Sequence, residues 1–134
     1  MDNAVSKSMV DNKSETGPVL RLFEVKVRNG HARALLQKFS TTSADVVRNE
    51  PGNQGYFFGQ GMLTDVGQLV FASLWKDLNA VKRRFGEDWQ ASFLPEGYEG
   101  MIEEHSIRHI DLSDGWFVGE DVSHGLDRDK CGSN

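Results

Sequence analysis

The alternation of apolar and polar positions divides the middle of the chain into six short elements. Val19–Val27 (VLRLFEVKV) is rich in β-branched and aromatic residues and runs into Asn29-Gly30, which predicts a first strand closed by a turn. From His31 to about Asn49, Ala32, Leu35, Leu36, Phe39, Ser43, Val46 and Val47 recur at spacings of three and four. That period predicts a helix, capped by Asn29 or Gly30 and stopped by Pro51-Gly52. Gly55–Gly61 (GYFFGQG) reads as a second strand with Tyr56, Phe58 and Gln60 on one face and Phe57 and Gly59 on the other. Its glycines point to a bulge or a close backbone approach.

Thr64-Asp65-Val66-Gly67 is a turn signal, so the strand that follows at Gln68–Trp75 forms an antiparallel hairpin with the second. Leu69–Trp75 is a near-continuous apolar run, short enough for a covered strand. Asp77 then caps a helix over Leu78–Phe85, whose Leu78, Val81 and Phe85 share a face before Gly86 ends it. Glu87–Gly100 holds Trp89, Phe93, Pro95 and Tyr98 without clean periodicity and reads as a loop, with a short helix near Tyr98–Glu104. Ser106–Leu112 (SIRHIDL) is the last strand, with Ile107, His109 and Asp111 on one face and Arg108, Ile110 and Leu112 on the other.

The order β-α-β-β-α-β is that of an α+β, ferredoxin-like fold, a four-stranded antiparallel sheet with two helices on one face. In the third strand Leu69, Phe71 and Trp75 point one way and Val70, Ala72 and Leu74 the other, so both faces of the sheet are apolar. Two helices cover only one of them. The expectation is a homodimer, with the bare faces of two copies packed together.

Length and charge narrow the picture. A chain of 134 residues holds one domain, placed here at residues 18–112. Residues 1–17 and 113–134 are polar and are expected to be mobile tails, apart from a docking Trp116-Phe117-Val118. No stretch approaches the ~20 apolar residues of a membrane span, and residues 1–17 lack the apolar core of a secretory signal, so a cytoplasmic location without a membrane partner is expected. The net charge of −5 argues against nucleic acid as a partner, with Lys82-Arg83-Arg84 read as the solvated face of the second helix. The single cysteine, Cys131, has no second cysteine to pair with in the chain, and three residues from the C-terminus it has no support for a catalytic thiol. His105 and His109 are four apart, a metal spacing on a helix but not on a strand, so no metal is expected.

The element order, Pro51-Gly52 before an aromatic strand, the segment ASLWKDLNAVKRRFGEDW and the terminal SIRHIDL together resemble the antibiotic biosynthesis monooxygenase superfamily of dimeric α+β barrels, over roughly Val19–Leu112. The resemblance implies a pocket between sheet and helices in each subunit, and relatives that include cofactor-free oxygenases of polycyclic phenols and haem-degrading enzymes. The haem-degrading relatives carry an Asn on the first strand, a Trp ending the third and an iron-binding His late in the second helix. Only the Trp carries over, as Trp75; Val19–Val27 has no Asn and Phe85-Gly86 stands in place of the His. Haem chemistry and bound cofactors are therefore not expected.

What the resemblance implies instead is a small monooxygenase oxidising an aromatic or phenolic compound, with Trp75, His109 and Tyr56 as candidate catalytic groups. Phe58, Gln60, Phe71 and Trp89 are candidate substrate contacts. Each has a plainer reading: Trp75 closing the strand-helix corner, His109 a hydrogen-bonded structural histidine, Tyr56 and Trp89 cover for the core. The alternative function is a non-catalytic dimeric barrel that binds a small apolar ligand.

Overall fold

The computed structural model of the chain describes residues 16–115; the expectations placed on the outer parts of both tails, including Trp116-Phe117-Val118, lie outside the described residues. Four strands, β1 (Val19–Val27), β2 (Asn53–Gln60), β3 (Gln68–Trp75) and β4 (Ile102–Asp111), form one sheet in the order β2-β3-β1-β4. All neighbouring pairs are antiparallel, as the β-α-β-β-α-β order requires of a ferredoxin-like α+β sheet. Among the described residues no helix is long and apolar enough to cross a membrane.

Helix α1 runs through Ala32–Lys38 and Ala44–Val47, joined by a wider π-turn at Phe39–Ser43. At its start neither Asn29 nor Gly30 acts as the cap. Gly30, with φ +87, turns the chain so that the His31 N–H donates to the Arg28 carbonyl at 3.0 Å, and His31 opens the helix without a side-chain cap. Helix α2 (Leu78–Phe85) does have the expected cap: Asp77 Oδ1 accepts from the Ala80 N–H at 2.9 Å. Gly52, at φ +89, lets the chain turn from α1 into β2 beneath α2. A Cβ there would stand 2.5 Å from that of Ala80, so no larger residue fits without movement.

The strand faces fall as the alternation indicates. Register sets Val19, Arg21, Phe23 and Val25 beside Trp75, Ser73, Phe71 and Leu69 on one face, with Tyr56 and Phe58 of β2 and Ile107 and His109 of β4 flanking them. This inner face meets the helices, and Phe39, fully buried in the π-turn, is the hub of its aromatic core, within 6.5 Å of Phe23, Phe58, Phe71 and Tyr98. Gly55 sits at a break in register between β2 and β3, the bulge its sequence suggested.

Several boundaries differ from those the sequence predicts, β2 starting two residues early at Asn53. β4 begins at Ile102, four residues before Ser106, and the segment expected to be a short helix is instead a 3₁₀ turn at Glu99–Met101 feeding that strand. The added positions Glu103, Glu104 and His105 are exposed on the sheet edge, so no apolar alternation marks them as strand. Arg84 is also not simply a solvated member of a basic run: its Nε donates to the Val46 carbonyl at 2.6 Å and lies 3.5 Å from Glu50, tying α2 to α1.

Candidate active site

Between the sheet and both helices lies a small, partly open cavity of about 40 Å³. Phe23, Phe71, Phe85 and Phe93 supply aromatic walls, Val46, Val47, Pro95 and Ile107 aliphatic ones, and Arg21, Ser43 and Ser73 the polar groups. The aromatics come from alternate positions of β1 and β3, the end of α2 and the loop after it, so the site draws on every layer of the fold.

Arg21 is the residue that sequence reasoning missed. Its position in VLRLFEVKV shares a face with Val19, Phe23 and Val25, and it is only 4% exposed. The guanidinium is held by Nη1 donating to the Trp89 carbonyl at 2.6 Å and to His109 Nε2 at 3.0 Å, and by Nη2 donating to the Ala91 carbonyl at 3.3 Å. It lies 3.7 Å from the centre of the Phe85 ring.

An arginine only donates, so His109 Nε2 must be the acceptor, and the imidazole is neutral with its proton on Nδ1. Burial and then the Arg21 charge pull His109 down to about 4. The stability consequence has a definite sign. In the unfolded chain His109 titrates near 6.5 and in the fold near 4, so its contribution is complete above pH 6.5 and is lost as pH falls towards 4. Allowing for its partial solvent contact, about 1–2 kcal/mol is at stake. Urea midpoints at pH 7 and pH 4.5 should therefore fall further in the native protein than in His109→Gln, which keeps a polar acceptor but does not titrate; equal falls would contradict the assignment.

Ser43 and Tyr98 form a second buried polar group behind the cavity wall. Tyr98 is fully buried; its hydroxyl donates to the Lys38 carbonyl at 3.2 Å and meets Ser43 Oγ at 2.6 Å, so Ser43 is the donor in that second bond. Burial raises the Tyr98 phenol above its usual range, with the Ser43 hydrogen bond pulling the other way. The Gln37 carbonyl takes the hydroxyls of Ser40 and Thr41 at 2.7 and 3.1 Å, so hydroxyl groups satisfy carbonyls where the helical ladder widens.

The sequence-selected residues do not share one place. Phe71 lines the cavity directly. His109 and Trp89 stand behind Arg21, their rings 4.9 Å apart edge to face, and reach the cavity through the guanidinium they hold. Trp75 is fully buried, donates its indole N–H to Ser73 Oγ at 2.8 Å and packs edge-on against Phe85 without lining the cavity. Tyr56 and Phe58 stack on Phe71 from the outer strand at 5.7 and 6.2 Å. Gln60 is exposed, its side chain donating to the Val66 carbonyl at 2.5 Å across the hairpin, away from this group. His105 bonds Ser92 Oγ at 2.9 Å, and among the described residues no group of three or more His, Cys, Asp or Glu side chains is placed to hold a metal ion.

An antiparallel ferredoxin-like sheet with an aromatic-walled cavity under its helices defines a class of small α+β pocket domains. The profile of the antibiotic biosynthesis monooxygenase family matches residues 18–92, more than half of the chain, and the protein belongs to that family.

Solved structures agree on the fold. PA3566 from Pseudomonas aeruginosa superposes with a TM-score of 0.57 at 22% identity, over 72% of this chain and 95% of that one. A candidate antibiotic biosynthesis monooxygenase from Deinococcus radiodurans gives 0.58 at 17% identity, over 75% and 97%. A NIPSNAP family protein from Agrobacterium tumefaciens gives 0.55 at 17% identity, over 75% and 90%. None of the curated proteins matches the chain in sequence.

Proposed function

We propose that the protein is a small monooxygenase that oxidises an aromatic or phenolic compound in the cavity between sheet and helices, without a bound cofactor. The observation that carries this reading is the buried Arg21 bonded to the half-buried His109 at the edge of a cavity walled by four phenylalanines. The overall reaction is a phenol plus O₂ giving a quinone plus water: one oxygen atom enters the ring, and the other leaves with two hydrogens from the substrate. The electrons come from the substrate. An electron-rich ring gives them up more readily once its hydroxyl is ionised, and a guanidinium beside that oxygen favours the ionised form. His109 is a positioning residue in this scheme, fixing Arg21 through Nε2.

A space of about 40 Å³ holds two or three water molecules, less than an aromatic ring needs. A ring that enters must displace part of the wall, and Phe93, 47% exposed on the loop after α2, is the most exposed of the residues that line it. The largely apolar lining also suits a second reading, a non-catalytic barrel for a small apolar ligand. Oxygen uptake separates the two. With a dihydroxynaphthalene or an anthrone, catalysed O₂ consumption equal to the quinone formed supports the monooxygenase, whereas ligand binding without faster uptake supports the binding barrel.

The functional unit proposed is a homodimer. The outer face of the sheet presents Leu20, Leu22, Val70, Leu74 and Ile110 half-buried and Phe57 59% exposed, with the Arg108–Glu24 pair, 3.1 Å apart, at one rim. An apolar centre with a charged rim is the anatomy of a protein interface.

A further inference from the structure

Arg21 is a buried guanidinium, 4% exposed. Among the described residues no carboxylate pairs with it; its partners are two backbone carbonyls, a neutral imidazole and the face of Phe85. A guanidinium has five N–H groups. Three are used, and among the described residues the Nε–H and one hydrogen on Nη2 have no acceptor. An uncompensated buried cation costs several kcal/mol, a cost that folds tolerate mainly at sites that bind something.

The surroundings add positive charge. Arg84, itself beside Glu50, holds its guanidinium 5.3 Å from the centre of the same Phe85 ring. Burial and this second cation pull Arg21 down to about 10, which leaves it protonated at neutral pH. Ser73 lies opposite Arg21 in the β1–β3 register, is 2% exposed and also lines the cavity. Its Oγ accepts the Trp75 indole N–H, so its own O–H is left to donate. Ser43 on the cavity wall differs: its hydrogen is spent on Tyr98, so it offers lone pairs only. One part of the cavity therefore donates, and another accepts.

We propose that the cavity takes its ligand as an anion, a deprotonated aromatic oxygen acid whose oxygen accepts from the open N–H groups of Arg21 and from Ser73. The ring lies among Phe23, Phe71 and Phe85, and any hydroxyl on the ligand points to Ser43. The inference deepens the monooxygenase reading of the same cavity by naming the charge of its substrate, but it concerns binding alone.

The test is calorimetric titration of the full chain at pH 7.5 and low salt with 2-naphthoate and its neutral counterpart 2-naphthamide. Hydrogen bonds to charged groups are worth about 1.5–3 kcal/mol, so naphthoate should bind about 10–100-fold more tightly than the amide. Arg21→Gln should remove that preference, with amide binding showing that the variant's cavity is intact. If Arg21→Gln does not fold, Ser73→Ala should still weaken naphthoate about tenfold and leave the amide unchanged. Equal binding of the two ligands, or binding of neither, overturns the proposal. Anion preference without oxygen uptake keeps it and removes the monooxygenase reading; oxygen uptake on a neutral ring that Arg21→Gln leaves unchanged does the reverse.

Discussion

Trp75→Ala is expected to lose about 3–5 kcal/mol of stability, the range for emptying a large buried aromatic site. The indole is fully buried at the corner where β3 gives way to α2, against Phe85 and over Ser73. Removing it opens a void beneath the α2 terminus and leaves Phe85, a cavity wall, without support on one side. Trp75→Phe fills most of the space but takes the donor from Ser73, so about 1–2 kcal/mol is expected. Urea unfolding of the three proteins checks the order. A stable Trp75→Ala protein would contradict the packing account, and a stable Trp75→Phe protein that no longer consumed oxygen would return Trp75 to the chemistry.

Leu22→Lys should convert the proposed dimer into a monomer. Leu22 lies on a central strand, half-buried on the outer sheet face between Ala72 and Arg108 in register. In a single subunit the lysine stem can lie along the sheet with its ammonium in water. Between two sheets that ammonium would be buried without a partner, a penalty of about 3–5 kcal/mol, which weakens association more than 100-fold. Light scattering at micromolar concentration should report twice 15.0 kDa for the native chain and 15.0 kDa for the variant. A native chain that scatters as 15.0 kDa would remove the sheet-on-sheet arrangement.

Much of the scaffold was legible because its signals are local. The strands β1 and β3 follow from short runs rich in β-branched and aromatic residues bounded by turns, and α2 follows from Asp77, three spaced apolar residues and Gly86. The edge strand β4 was legible only where its apolar side touches the core, at Ile107 and His109, and not at Glu103–His105, where both sides meet water.

The site was less legible because its central group breaks the pattern that located the strands. Arg21 is a charged residue on the buried face, and Leu20 and Leu22 make the other face apolar too, so alternation alone leaves its direction open. The usable signal was further along: Glu24 and Lys26 mark the outer side of β1, which puts Arg21 inside. The π-turn had no local signal beyond the run Ser40-Thr41-Thr42-Ser43, since the hydroxyl that meets its carbonyl comes from Tyr98.

That long-range bond has a consequence for how the chain is made. A π-turn holds one residue more than an ordinary turn, which rotates everything after it by about 100° around the helix axis. On the ribosome, Ala32–Val47 emerges long before Tyr98, and its serine-threonine segment then has no distant hydroxyl to hold the wider turn. The final angular setting of Ser43, Val46 and Val47 on the cavity wall thus waits for the last third of the polypeptide. A nascent fragment released before Tyr98 would carry three strands and both helices and still lack the finished binding surface.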